Sequence, residues 1–289
     1  MPEGDTIRRL AERIRADVVG DTVTRSLIRH PRLATADLTD RTVLDAGSYG
    51  KHLFVRFDDR RSLHVHLLMQ GRVRFDAARE IPDWRRRFEL RFRSGARMVG
   101  VDIPLLHLVD AGAERSFTDH LGPDVCGDFD HDAAVARIRA EPDLPLGGSM
   151  LEQRNVAGWG NIYAVETPFV CGISPFRRVG EIDGIDAIVA VGAALIRTNA
   201  QRGPQNTTGR RLQQSDHWIL TGDARLCPVC GTRVDRFRDV DVPWQRRTAR
   251  CPRCQADDHS VADVERARRL LALHPAARSI DWDRLSTRS

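Results

Sequence analysis

Apolar residues recur at helical spacing almost from the first residue. Ile7, Leu10, Ala11, Ile14 and Val18 mark one face of an amphipathic helix, with Asp5 as its expected N-cap, so the amino terminus is held rather than frayed. Residues 21–109 then change to a period of two. Apolar and polar positions alternate through LFVRF, SLHVHLL, QGRVRF, FELRF and ARMVGVDI, broken by turn-formers such as DDRR, which predicts an antiparallel sheet protein built as a two-layer sandwich. After HLGPDV the pattern returns to helices, in AAVARIRA, SMLEQRNVA, NIYAVETPFVCG and DGIDAIVAVGAALIRTN, and the boundary falls near residue 120. A last helical stretch, VADVERARRLLALHP, precedes a polar end, and no internal repeat is seen. The longest apolar helical run, at 185–196, is too short to span a bilayer and no signal peptide precedes the body, so a cytoplasmic protein is expected.

Composition sharpens this picture in two ways. The 289-residue chain is 41% hydrophobic and 29% charged, with a formal charge of +5, a balance that suits a globular protein with a polyanionic partner such as nucleic acid. Its basic residues are lopsided: of the 45 Lys plus Arg, only Lys51 is a lysine. Arginine cannot replace an amine that must give up or accept a proton, so Lys51, just after a glycine at the mouth of a strand, is a candidate catalytic group.

Four of the six cysteines form CPVC at 227–230 and CPRC at 251–254. Two Cys-x-x-Cys knuckles separated by a hairpin-sized segment can offer four thiolates to one tetrahedral ion, so Cys227, Cys230, Cys251 and Cys254 predict one structural Zn2+. The alternative, a pair of disulfides or redox motifs, fits poorly with a polar, Arg-rich segment of a cytoplasmic chain. Cys126 and Cys171 read as buried small apolar residues. At the other end of the chain, Pro2 becomes a free secondary amine if Met1 is trimmed, and an α-amino group titrates near neutral pH. Within NVAGWGNIYAVE, Gly158 and Gly160 bracket a turn and Asn161 opens the next helix, where backbone N–H groups and a side-chain amide can meet a phosphate oxygen.

In order along residues 1 to about 255, MPEGDT, YGKHLF, HLLMQG, HLGPDV, GWGNIYAVE and CPVC…RRTARCPRCQ resemble the formamidopyrimidine-DNA glycosylase and endonuclease VIII family of base-excision repair enzymes. PEGDT is closer to the endonuclease VIII side, of actinobacterial type. The resemblance implies an α+β protein: an N-terminal antiparallel β-sandwich with a long N-terminal helix over 1–119, a helix-two-turn-helix DNA-binding domain over 120–222, a zinc finger over 223–255, and an extension of unassigned role over 256–289. DNA would lie in the cleft between the domains.

Residue by residue, the resemblance makes Pro2 the nucleophile that attacks C1′ and forms an imine, and Glu3 the group that handles protons on the sugar. Lys51 becomes a proton donor and phosphate partner, Asn161 the grip on a phosphate beside the lesion, and Arg246, five residues before Cys251, the helper of a second elimination, with Arg247 next door as the other candidate. Leu68, Met69 and Gln70 match the loop that wedges into the gap left by the flipped base. On the residues alone, Met69 equally suits packing under the sheet.

The implied activity is a bifunctional glycosylase and abasic-site lyase acting by β,δ-elimination on damaged DNA, duplex and possibly single-stranded, by a monomeric, nucleoid-associated bacterial enzyme. Where formamidopyrimidine-type members carry an Arg and Phe for the orphaned base, this chain reads DIPLLHL, which favours oxidised pyrimidines over 8-oxoguanine as substrates. The competing readings are a catalytically weak or silent DNA-binding paralogue, an abasic-site lyase alone, and a zinc-ribbon transcription or RNA factor. The first has no need of Pro2, Glu3 and Lys51 together, and the last leaves the sheet domain unexplained.

Overall fold

The computed structural model describes residues 2–33, 35–75, 81–210, 216–220 and 226–287. Met1, whose removal the Pro2 reading needs, and the expected boundary between residues 222 and 223 lie outside them. The chain divides into two compact units, Met1–His120 and Leu121–Ser289.

The first unit opens with helix α1 (Gly4–Val18), whose Ile7, Ala11, Ile14 and Val18 are buried at intervals of three and four residues. Its N-cap is Glu3 rather than Asp5: the Glu3 carbonyl accepts from the amides of Thr6 and Ile7 at 2.9 and 3.1 Å. Asp5 sits buried in the first turn, where its charge complements the helix dipole. Two four-stranded sheets follow. One has the order β1 (Val23–Ile28), β6 (Arg86–Phe92), β7 (Arg97–Val101), β5 (Arg72–Phe75). The other runs β2 (Val43–Tyr49), β3 (His52–Phe57), β4 (Arg61–His66), β8 (Leu105–Asp110). Every pairing in both sheets is antiparallel. Their inner faces share one core with α1, through Val43, Leu53, Val55 and Val65 from the second sheet and Phe88, Leu90 and Met98 from the first. The sandwich expected from the period-two pattern is therefore formed, because each strand turns one apolar face inward.

In the second unit α2 (His131–Arg139), α3 (Leu146–Leu151), α4 (Asn161–Val170) and α5 (Ile185–Arg202) pack around Trp159, Tyr163, Phe169 and Leu195. The helix expected over SMLEQRNVA stops at Leu151, and Glu152–Gly160 forms turns that lead into α4. A short hairpin of β9 (Asp235–Phe237) and β10 (Thr248–Arg250) joins the two cysteine knuckles. After it, α6 (Val264–Leu270) and α7 (Trp282–Ser286) complete the core with Val264, Ala267, Leu271, Ala276, Ile280 and Leu285. Cys171 is buried as expected, whereas Cys126 is only half-buried. Among the described residues, no helix is long and apolar enough to cross a membrane.

Candidate active site and nucleic-acid interface

One end of the sheet β2–β3–β4–β8 gathers most of the expected groups of the first unit. Tyr49 pairs with His52, so β2 and β3 are joined by the two-residue loop Gly50–Lys51. Gly50 has φ +54°, the left-handed value that the first position of such a hairpin demands, and it sets Lys51 at the tip. His52 pairs with His66 and His66 with Leu105, so the loop after β4 and the start of β8 lie at the same end as Lys51. Helix α1 reaches this end from the other direction. Its C-terminal half is tied to the beginning of β2, by Arg15 to Asp45 at 2.9 Å and by the Gly20 amide to the Val43 carbonyl at 2.8 Å. The helix packs along β2 and β3, so its amino terminus, with Pro2 and Glu3, runs toward the Lys51 end. The Glu3 side chain is 0% exposed. A carboxylate so placed is retained only where its surroundings hold it.

Leu68, Met69 and Gln70 form a three-residue excursion between β4 and β5. Its base is pinched by the Gly71 amide donating to the Leu67 carbonyl at 2.9 Å. A Cβ on Gly71 would stand 2.6 Å from that carbonyl oxygen, so only glycine closes the loop. Leu68 has φ +47°, a conformation that costs a bulky residue about 1–3 kcal/mol and persists only where its surroundings impose it. Part of that imposition is visible: the Leu68 amide donates to His66 Nδ1 at 3.2 Å. The tip is apolar and in solvent, with Met69 59% exposed, so packing beneath the sheet is ruled out for this side chain. Nearby Leu105 is also exposed, while Asp102 is engaged by both Nε and Nη2 of Arg85.

Behind this end, the outer face of the same sheet carries a row of imidazoles. His52 Nδ1 and His64 Nε2 are 2.9 Å apart, and His64 Nδ1 and His107 Nδ1 are 3.2 Å apart. The rings of His52 and His64 are stacked, as are those of His64 and His107, and His66 meets His52 edge-on at 4.8 Å. Phe117 covers His64 at a centroid distance of 4.0 Å. Burial, reinforced by the neighbouring imidazoles, pushes His64 down to about 3; burial with His66, His120 and Lys51 takes His52 to about 4, and burial with Lys51 takes His66 to about 4. His52, His64 and His66 are therefore uncharged at neutral pH.

In the second unit, Asn161 opens α4 behind the extended N-cap Gly160. Its Nδ2 donates to the Arg247 carbonyl at 2.9 Å, which ties the helix start to the loop that carries Arg246 and Arg247. Both arginine side chains are exposed. The structure thus brings Asn161 and the finger arginines together.

The four knuckle sulfurs lie within 4.8 Å of one another, with Cys227 and Cys254 at 3.8 Å and Cys230 and Cys251 at 3.4 Å. Disulfides at about 2.05 Å are excluded, and four sulfurs about 2.3 Å from one tetrahedral ion would stand about 3.8 Å apart. The Val229 and Cys254 amides point at the sulfurs of Cys227 and Cys251, as they do toward thiolates. Burial opposes ionisation of Cys230, yet hydrogen bonds from Thr232 and the other cysteines bring it down to about 6. These residues fit a bound metal ion.

Sequence reasoning missed two features. The imidazole row was signalled by His64 and His66 at alternate strand positions, which share a face. The other is Glu166, fully buried in α4, which accepts from the amides of Trp218, Ile219 and Leu220 at 2.5, 3.0 and 2.8 Å and from the Thr207 hydroxyl at 2.6 Å. A lone acid in the apolar run IYAVETPFV was its signal.

Residues 1–104 match the family model of the formamidopyrimidine-DNA glycosylase N-terminal domain. A probable endonuclease 8 2 of Streptomyces coelicolor is 37% identical over 262 residues, covering 89% of this chain and 94% of that protein. The DNA-(apurinic or apyrimidinic site) lyase Nei2 of Mycolicibacterium smegmatis is 35% identical over 88% of this chain and 99% of its own. The chain belongs to the formamidopyrimidine-DNA glycosylase and endonuclease VIII family. In fold it is similar to the Lactococcus lactis formamidopyrimidine-DNA glycosylase in complex with abasic-site DNA, with a TM-score of 0.73 at 19% identity over 88% of this chain and 100% of that one. The same enzyme bound to DNA with an oxidised pyrimidine gives 0.74 at 21% identity, over 89% of this chain and all of that one.

Proposed function

We propose that this protein excises oxidised bases, pyrimidines above all, from DNA and cleaves the strand at the resulting abasic site. After loss of Met1, the Pro2 nitrogen attacks C1′ of the damaged nucleotide and the glycosidic bond breaks, the base leaving with a proton. Glu3 gives a proton to O4′ as the sugar ring opens to the iminium. Removal of a 2′ proton then expels the 3′ phosphate, and a second elimination expels the 5′ phosphate, with Lys51 as proton donor and phosphate partner and Arg246 as helper of the second step. Asn161 grips a phosphate beside the lesion, and Leu68, Met69 and Gln70 fill the space of the flipped nucleotide. The four cysteines hold one Zn2+, whose part is to fix the finger loop rather than to react.

The observation that carries this reading is the pinned, solvent-exposed Met69 loop at the same sheet end as Lys51 and the Pro2 terminus. The substrate preference rests on Asp102–Leu105. Asp102 is an acceptor already engaged by Arg85 and the side chains of Ile103, Pro104 and Leu105 are apolar, so no side chain of this segment donates to the orphaned base, and oxidised pyrimidines that have lost planarity stack poorly and leave the helix easily.

The test is borohydride reduction of protein beginning at Pro2 in the presence of abasic, thymine-glycol and 8-oxoguanine oligonucleotides. A covalent adduct with abasic and oxidised-pyrimidine DNA is expected. Absence of any adduct would refute the enzyme reading, whereas a strong preference for 8-oxoguanine opposite cytosine would overturn the substrate alone.

A further inference from the structure

We infer that His66 is a positioning residue for base excision: its Nδ1 fixes the Leu68 amide and so aims the Met69 tip. This rests on the function proposed above, which gives the loop its task.

Three observations carry it. First, Leu68 adopts a left-handed conformation it would not choose alone, and its amide donates to His66 Nδ1, two residues back. The geometry is that of an Asx turn, with the imidazole nitrogen in place of a side-chain carbonyl oxygen. Second, the His66 ring meets His52 edge-on, and His52 follows Lys51 directly and pairs with His66 across the two strands. That contact holds the His66 ring in the orientation that presents Nδ1 to the loop. Third, His52 is itself braced: its Nδ1 contacts His64, which is 2% exposed and uses its other nitrogen on His107 under the cover of Phe117. An acceptor at Nδ1 leaves the His66 hydrogen on Nε2, so the ring serves as a neutral acceptor.

A wedge is needed only where a base must be taken out of a duplex, since single-stranded abasic DNA has no stack to open. His66→Leu should therefore lower excision of an oxidised pyrimidine from duplex DNA by about 10- to 100-fold, the scale of a misplaced positioning group, while borohydride trapping on single-stranded abasic DNA is retained. A 2-aminopurine placed beside the lesion should lose the fluorescence rise that reports unstacking. His66→Asn supplies an oxygen where Nδ1 stood and should restore both readouts, and thermal melting of the full-length variants checks that they are folded. Wild-type duplex excision by His66→Leu would overturn the inference, and so would equal loss on both substrates by a folded His66→Leu. Failure of His66→Asn to recover activity would also overturn it, by showing that the ring and not the acceptor matters. Failure of the wild type to trap abasic DNA would remove the functional reading itself, a result separate from all of these.

Discussion

Lys51 is the residue at which charge and chemistry can be told apart. A guanidinium at the tip of the Gly50–Lys51 hairpin would keep the positive charge beside a phosphate but give up no proton near neutral pH. Lys51→Arg is expected to lower single-turnover base excision by about 100-fold or more, the usual contribution of a general acid, while the Kd for abasic-analogue duplex changes little. Excision at the wild-type rate would show that the lysine only contacts phosphate. The four-cysteine cluster was legible in the chain because two Cys-x-x-Cys knuckles at that spacing have few other uses, whereas the roles proposed for Pro2 and Glu3 came from the family resemblance and not from the residues alone. His66 and Gly71 were not legible. Their roles depend on a backbone torsion at Leu68 and on a carbonyl 2.6 Å from a missing Cβ, neither of which leaves a mark in the pattern of residues.

The sheet β2–β3–β4–β8 has two different faces, and only one of them was readable. Leu53, Val55, Leu63 and Val65 announce the core face by alternation, whereas His52, Phe54, His64 and His107 on the other face look like ordinary polar and mixed positions. The 3-10 segment Ala111–Phe117 covers that face, and burial there holds His52 and His64 neutral. Their folded values, about 3 for His64 and about 4 for His52 and His66, lie below the ordinary 6.5. Between pH 6.5 and about 4 the unfolded chain therefore binds more protons than the folded one, and stability falls as pH falls through that window. Glu89 acts lower down: burial opposes its charge, but Arg97, Arg91 and Arg86 hold it at about 2, so its contribution is lost from about 4.5 downward. His64→Phe, which keeps the stack without a titrating group, is expected to flatten the decline in Tm between pH 6.5 and about 3 and to leave the loss due to Glu89 below about 4.5 in place. Identical Tm profiles for variant and wild type would show that this row does not govern acid stability.

At the scale of the molecule, the segment after the second cysteine knuckle changes the meaning of the second unit. Its helical spacing at Val264, Ala267 and Leu271 was evident in the chain, but a helix face does not name what it covers, and the family resemblance ended near residue 255. The structure supplies the partner. Asp263 caps α6, the Asp263 amide donates to the Cys171 carbonyl at 2.9 Å, and the half-turned guanidinium of Arg266 donates to the Phe169 carbonyl at 3.3 Å from the underside of α4. Since α4 carries Asn161 at one end and Glu166 in its middle, the extension supports the helix that holds both Asn161, the proposed phosphate grip, and the segment before the finger. Uncovering Val264, Ala267, Leu271, Ala276, Ile280 and Leu285 and the surfaces they cover would remove on the order of 10 kcal/mol of apolar burial, comparable with the whole stability of a domain. A chain ending at Gln255 is therefore expected to lose the calorimetric transition of its helical unit and its affinity for duplex DNA, while the sandwich retains its own transition. Unchanged melting and binding of the shortened chain would show that the second unit is complete without its last helices.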